Sequence, residues 1–203
     1  MKTAIIIADN TNILNGAKNY HKSDAARFSY DNFLNMYISY FGYCVEDVII
    51  SASGSNSTFI RYAADRGFNF FEGWNTSNGE KAVDTTAVAY GVKSLFDYKP
   101  NCIVILSGDL DFYPLAEIAI EKFFCEVHFW SFKGTTNNNL ESVCTDFFYI
   151  DDYDYLTYIN DQQQQPNIYE EGFNPTGFDT SAYKVDLPDN RPYLRIRKLP
   201  ENS

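Results

Sequence analysis

Acidic residues stand where apolar runs end. Ala4–Ala8 gives way to Asp9-Asn10-Thr11-Asn12, and Cys102–Leu106 gives way to Ser107-Gly108-Asp109-Leu110-Asp111. In an open parallel sheet the carboxyl ends of the strands share one edge, and ligands bind in the crevice beside it. Asp9, Asp109 and Asp111 are therefore expected to converge across a hundred residues of chain. A further acid comes from Glu80-Lys81-Ala82-Val83-Asp84, where Asp84, Val88, Gly91 and Leu95 recur at helical spacing, so Asp84 points inward with the apolar stripe. Carboxylates within ~4 to 6 Å repel one another and raise each other's pKa unless a divalent ion lies between them. Oxygen donors with no His or Cys at useful spacing suit Mg²⁺ or Mn²⁺ better than Zn²⁺. Each acid alone has an ordinary role: Asp9 as a turn cap, Asp109 and Asp111 as turn formers before Pro114, Asp84 as a helix-start acid. Their common edge is what favours a site.

The elements needed to build that edge are legible as alternating short apolar runs and helix-length amphipathic stretches, the pattern of an α/β sheet wrapped by helices. Strands are predicted at Ala4–Ala8, Val48–Ser51, Asn69–Phe71, Cys102–Leu106, Glu126–Ser131 and Asp146–Ile150. Helices are predicted within Ala25–Phe41, Ser57–Arg66, Glu80–Tyr98, Pro114–Phe123 and Asn139–Cys144. Pro114 suits a first helical turn, where its missing donor costs nothing.

The 203 residues suffice for one well-cored domain with a modest appendage. Hydrophobic residues at 45% and charged residues at 21% exclude wholesale disorder and coiled coil. A net charge of -11 means that no global positive field draws polyanions, so any nucleic-acid role needs a local basic patch. Lys18, Lys22 and Arg27, after Asp9, are the nearest candidates, with a solvated face as the plain alternative. Cys44, Cys102, Cys125 and Cys144 lack CxxC spacing and read as reduced thiols. The N-terminal apolar stretch is too short for a signal peptide, and no run approaches the ~20 residues of a membrane span. A soluble, cytoplasmic protein without membrane contact is expected.

Beyond Ile150 the character changes to an acidic aromatic stretch, four glutamines at 162–165, and a segment rich in Pro, Gly and Asn. We expect a division into residues 1–152 and a C-terminal extension, 153–203, acting as linker and edge strand or tail. Tyr193–Arg197 alternates apolar and basic residues, as an edge strand does, and pairs either in its own molecule or across a homodimer.

In this setting IIIADNTN, KAVDTTAVAYG, ILSGDLDFYPL and CEVHFWSF followed by LESVCTDFFYI resemble, in order and spacing, the motifs of the NYN domains. These are a branch of the PIN-like metal-dependent nucleases. The resemblance covers about Lys2 to Asp152 and implies a three-layer, Rossmann-like PIN/NYN fold with a central, mainly parallel sheet. It implies a metal-dependent endoribonuclease that hydrolyses RNA phosphodiester bonds, with RNA as partner and Mg²⁺ or Mn²⁺ as cofactor. Carried over residue by residue, Asp9, Asp84, Asp109 and Asp111 are the catalytic, metal-holding acids, and Asp146 is either a further metal ligand or a buried hydrogen-bond acceptor. Asn12, Lys81 and Ser107 are the substrate-side and positioning residues, Lys81 facing the scissile phosphate. The chain departs from the family in carrying Tyr90 where a further acid is common, and Asn10 where Gly is.

Tyr90 and the net charge motivate an alternative, a catalytically weak or inactive PIN-like module that binds RNA or protein. A haloacid-dehalogenase phosphatase needs a second Asp two positions after the first, and that position is Thr11. Walker and GxGxxG loops are missing from the sequence.

Overall fold

The run Lys2–Asp9 forms strand β1, buried from Ala4 onward. Ala4, Ile6 and Ala8 face one apolar layer while Ile5 and Ile7 face the other. Apolar residues on both sides make a central strand. Ile5, Ile6 and Ile7 are fully buried, each stabilising the fold by ~1.5–3 kcal/mol.

The computed structural model describes residues 2–53, 57–72, 74–76, 79–81, 83–160, 183–186 and 195–198, with backbone alone for 74–76, 79–81, 183–186 and 195–198. After β1 come α1 (Asn10–His21), β2 (Ala26–Phe28), α2 (Tyr30–Ser39), β3 (Tyr43–Ala52), α3 (Ser57–Asp65) and β4 (Asn69–Glu72). A small hairpin, β5 (Trp74–Thr76) and β6 (Gly79–Lys81), leads to α4 (Val83–Tyr98) and β7 (Cys102–Leu106). Then follow α5 (Tyr113–Phe123), β8 (Glu126–Ser131), β9 (Asp146–Tyr149) and β10 (Thr157–Ile159). A second hairpin pairs β11 (Tyr183–Asp186) with β12 (Arg195–Lys198).

The main sheet has six strands in the order β4-β3-β1-β7-β8-β9, and all its pairings are parallel. Residues of α1, α2 and α3 pack on one face, and residues of α4 and α5 on the other. The chain builds outward from β1 in one direction and then returns to lay β7 on the opposite side. The topological switch point thus falls between β1 and β7, which is where an open sheet leaves its ligand crevice.

Several boundaries differ from those read in the sequence, for local reasons. The Asn-rich segment after Asp9 is helical at once, because the Asp9 side chain caps it. Within 25–41, Ala26–Phe28 pairs with β10 before Ser29 caps α2. The helix predicted from Glu80 starts at Val83, since Gly79–Lys81 belongs to β6. The stretch around Asn139–Cys144 is a 3₁₀ segment at Asn138–Val143. Leu156 is buried and β10 pairs with β2, so the main body continues past the expected boundary at Asp152. The glutamine run and Tyr193–Leu194 lie outside the described residues; Arg195–Lys198 is a strand, as its alternation suggests.

Candidate metal centre at the carboxyl edge

Asp9 ends β1 and caps α1 in one stroke. Its Oδ1 accepts the backbone N–H of Asn12 at 3.0 Å, and the residue is only 5% exposed. Burial is the main cause that pushes its carboxyl up to about 6, helped by the nearby charges of Asp84 and Asp109 and opposed by the N–H groups of Asn12 and Thr11. A carboxylate in this position is short of positive charge.

Ser107 links the two central strands. Its hydroxyl is fully buried, lies 3.5 Å from Asp9 Oδ2, and accepts the Asp109 N–H at 3.1 Å. Asn12 completes the link, since its Oδ1 accepts the Gly108 N–H at 3.1 Å. On the next peptide of the chain, the Gly108 carbonyl accepts the Asn137 N–H at 2.9 Å. The Asp109 loop is therefore held by α1 and by the segment after β8 at once.

Asp109 caps the 3₁₀ turn Leu110–Phe112, its Oδ1 accepting the Asp111 N–H at 3.1 Å. That turn brings Asp111 back beside Asp109. Asp84 arrives from the first turn of α4, and oxygens of Asp84, Asp109 and Asp111 lie within 4.8 Å of one another. Asp84 is half-buried and the other two are exposed. Gly91 lets α4 approach closely: a Cβ there would stand 2.5 Å from Ile7 Cδ1 and 2.8 Å from Leu115 Cδ2. The donor set, all carboxylate oxygen and lying beside the buried Asp9, fits a hard divalent cation.

Asp146 does not join this group. It lies on the outermost strand, level with His128, and its Oδ2 is 3.5 Å from His128 Nε2. Its side chain is 55% exposed, so neither the metal-ligand role nor that of a buried acceptor fits it. The motif placed an acid on the correct strand but at that strand's start, away from the carboxyl edge. Lys81 closes β6, and its side chain lies outside the described residues. Of the basic residues after Asp9, Lys18 pairs with Asp24 at 3.6 Å and Arg27 donates to the Asp24 and Ala26 carbonyls.

Sequence reasoning missed the polar surround of α1. Tyr30 donates to Asn10 Oδ1 at 3.1 Å, and Thr11 Oγ1 accepts the Ser53 N–H at 3.0 Å. Only the run of short polar residues from Asn10 to Asn12 hinted at it.

The chain matches the NYN domain family over residues 3–151. It belongs to that family. NYN domains form part of the PIN-like nuclease superfamily. Among solved structures, this NYN chain is similar to a protein of unknown function from Vibrio parahaemolyticus, with a TM-score of 0.62 and 19% identity. That match covers 74% of this chain and 94% of the other, and it shows the fold alone. A weaker likeness, with a TM-score of 0.41 and 14% identity, is to MurG of Acinetobacter baumannii; it covers 73% of this chain and 41% of that one. No curated protein matches. Among the described residues, no helix is long and apolar enough to cross a membrane.

Proposed function

We propose that this NYN domain is a metal-dependent endoribonuclease, with Mg²⁺ or Mn²⁺ held by Asp84, Asp109 and Asp111 and with Asp9 beside them. The observation that carries this reading is the meeting of carboxylates from α4 and from the end of β7 within 4.8 Å, beside the buried Asp9 at the switch point. A divalent cation bound there supplies Lewis-acid activation of water and charge stabilisation for an in-line displacement at phosphorus. The protein's own part is positional. Ser107 and Asn12 hold the Asp9 carboxylate and the Gly108–Asp109 backbone, and Lys81 is the proposed contact to the scissile phosphate. Water oxygen would bond to phosphorus as the bond from phosphorus to the ester oxygen breaks, the water's proton passing to solvent and the departing oxygen taking one from solvent, and no covalent enzyme intermediate is required.

The test is cleavage of a labelled single-stranded RNA with Mn²⁺, beside Asp9→Asn and Asp109→Asn. Cleavage by the wild type and its loss in both variants is the expected result; equal rates in all three preparations would sink the enzyme reading. One observation favours a second reading, a binding module without turnover. Tyr90, at the position of the family's additional acid, is stacked on Phe71 with centroids 4.0 Å apart, so no carboxylate comes from that turn. Retained RNA binding without cleavage at any Mn²⁺ concentration would favour it.

A further inference from the structure

Strand β3 is longer than the neighbour that covers it. On one side it pairs with β1 from Tyr43 to Ser51; on the other, β4 covers only Ile49–Ala52. Residues 43–48 are left as an edge, and within the six-stranded sheet no other described strand pairs with them. Such an edge presents backbone donors and acceptors to any strand that comes near, including one from another molecule.

Two features identify the segment that suits it. First, β12 lies against β3 although its ladder partner is β11. Second, the charges match. The segment around β12 carries Arg191, Arg195, Arg197 and Lys198, whereas the open stretch of β3 carries Glu46 and Asp47. Asp47 forms a polar groove with Asn69, Ser94 and Asp97, in which Lys93 already pairs with Asp97. Asp47 accepts from Asn69 Nδ2 at 2.6 Å and from Ser94 Oγ at 2.9 Å. Asn69 Oδ1 is buried there with no hydrogen-bond partner, and such an acceptor is costly to leave unmatched.

We propose that the C-terminal hairpin, β11 and β12, is the intramolecular cover of the open half of β3, with the basic charge of the β12 segment complementing the acidic Glu46–Asp47 stretch. Asp47 is level with Ile5, on the amino-terminal side of the acid cluster at Asp9. The inference therefore stands apart from the nuclease reading. Its physical consequence is protection of an exposed edge that otherwise invites association of copies.

Amide hydrogen exchange on the full-length chain tests this, comparing wild type with Ile196→Pro and with the double variant Arg195→Glu, Arg197→Glu. Proline removes a ladder donor, and charge reversal repels the acidic groove. In both variants, exchange in the 43–48 segment is expected to speed up about tenfold or more while β1 and β7 stay protected. If Ile196→Pro loosens β1 and β7 as well, the arginine variant alone decides. Unchanged protection of 43–48 in the arginine variant overturns the proposal. So does wild-type protection that disappears on dilution together with a dimer in sedimentation, because the hairpin would then come from a second copy.

Discussion

Ser107 Oγ stands 3.5 Å from Asp9 Oδ2, at the long limit of a hydrogen bond, while it accepts the Asp109 N–H at 3.1 Å. One buried hydroxyl thus spans the gap between the ends of β1 and β7. Groups that orient metal ligands commonly contribute 10- to 100-fold in metal affinity. Ser107→Ala should keep the fold, because alanine fits a fully buried serine position. Its Mn²⁺ affinity should fall by about 10-fold or more. Isothermal titration checks this, and affinity equal to wild type would show that the bridge has no part in the site.

Asp109→Asn separates repulsion from ligation. Asparagine still offers Oδ1 to the Asp111 N–H but removes one of the clustered charges. In metal-free buffer the variant should be as stable as wild type or more so, by up to ~1 kcal/mol, because charges this exposed are well screened. With Mn²⁺ at about 100 times its Kd, wild type gains ~2.7 kcal/mol and overtakes the variant. Thermal melts with and without Mn²⁺ read both. An equal Mn²⁺ shift in the two proteins would place the ion elsewhere.

The acids that converge were legible because two independent patterns agreed: apolar runs that end in Asp9 and Asp109, and a helical stripe that includes Asp84. Parallel topology then did the rest, since all strand ends of one direction share an edge. Asp146 was given to the site by the resemblance alone, against the strand reading Asp146–Ile150, which already set it at the start of its strand and so away from the carboxyl edge. The clamp on Gly108 by Asn137 was invisible for another reason: a backbone-to-backbone bond between loops leaves no trace in side-chain type. The brevity of β4 relative to β3 was likewise hidden, since strand ends are set by the partner's register.

Two glycines near the site should behave differently when replaced by alanine. At Gly108 the added Cβ would stand 2.2 Å from the Thr135 carbonyl oxygen and 3.0 Å from Thr136 Cα, both backbone atoms. At Gly91 it meets the tips of Ile7 and Leu115, which can change rotamer. Gly91→Ala should cost ~1–3 kcal/mol of packing strain, offset in part by the ~1 kcal/mol gain in helix propensity. Gly108→Ala must displace the Asp109 loop or the 132–137 segment, so Mn²⁺ binding should fail before global stability does. Urea denaturation paired with Mn²⁺ titration distinguishes them. A Gly108→Ala protein with wild-type Mn²⁺ affinity would refute the clamp.

His128 should set part of the acid sensitivity of the fold. Trp130 Nε1–H donates to the Tyr37 oxygen at 2.6 Å, so the Tyr37 hydrogen turns to His128 Nδ1 at 3.1 Å and Nε2–H faces Asp146. Protonating Nδ1 would force the Tyr37 hydrogen into the surrounding rings of Phe33 and Phe41. Burial is the main cause that lowers the His128 pKa below 6.5, Lys2 lowers it further, and Asp146 and Glu126 oppose the shift. Above pH 6.5 the ring is neutral whether the chain is folded or not, and it adds no pH dependence. As pH falls below 6.5, the unfolded chain takes the proton first, so stability is lost through the window down to the lowered folded value. His128→Gln should be less stable at pH 7.5 but flatter between pH 6.5 and 5, by up to ~1.4 kcal/mol per pH unit. Asp146→Asn removes an opposing charge and should steepen the same loss. Urea midpoints across that range measure the slopes, and parallel curves for wild type and His128→Gln would show that the proton enters elsewhere.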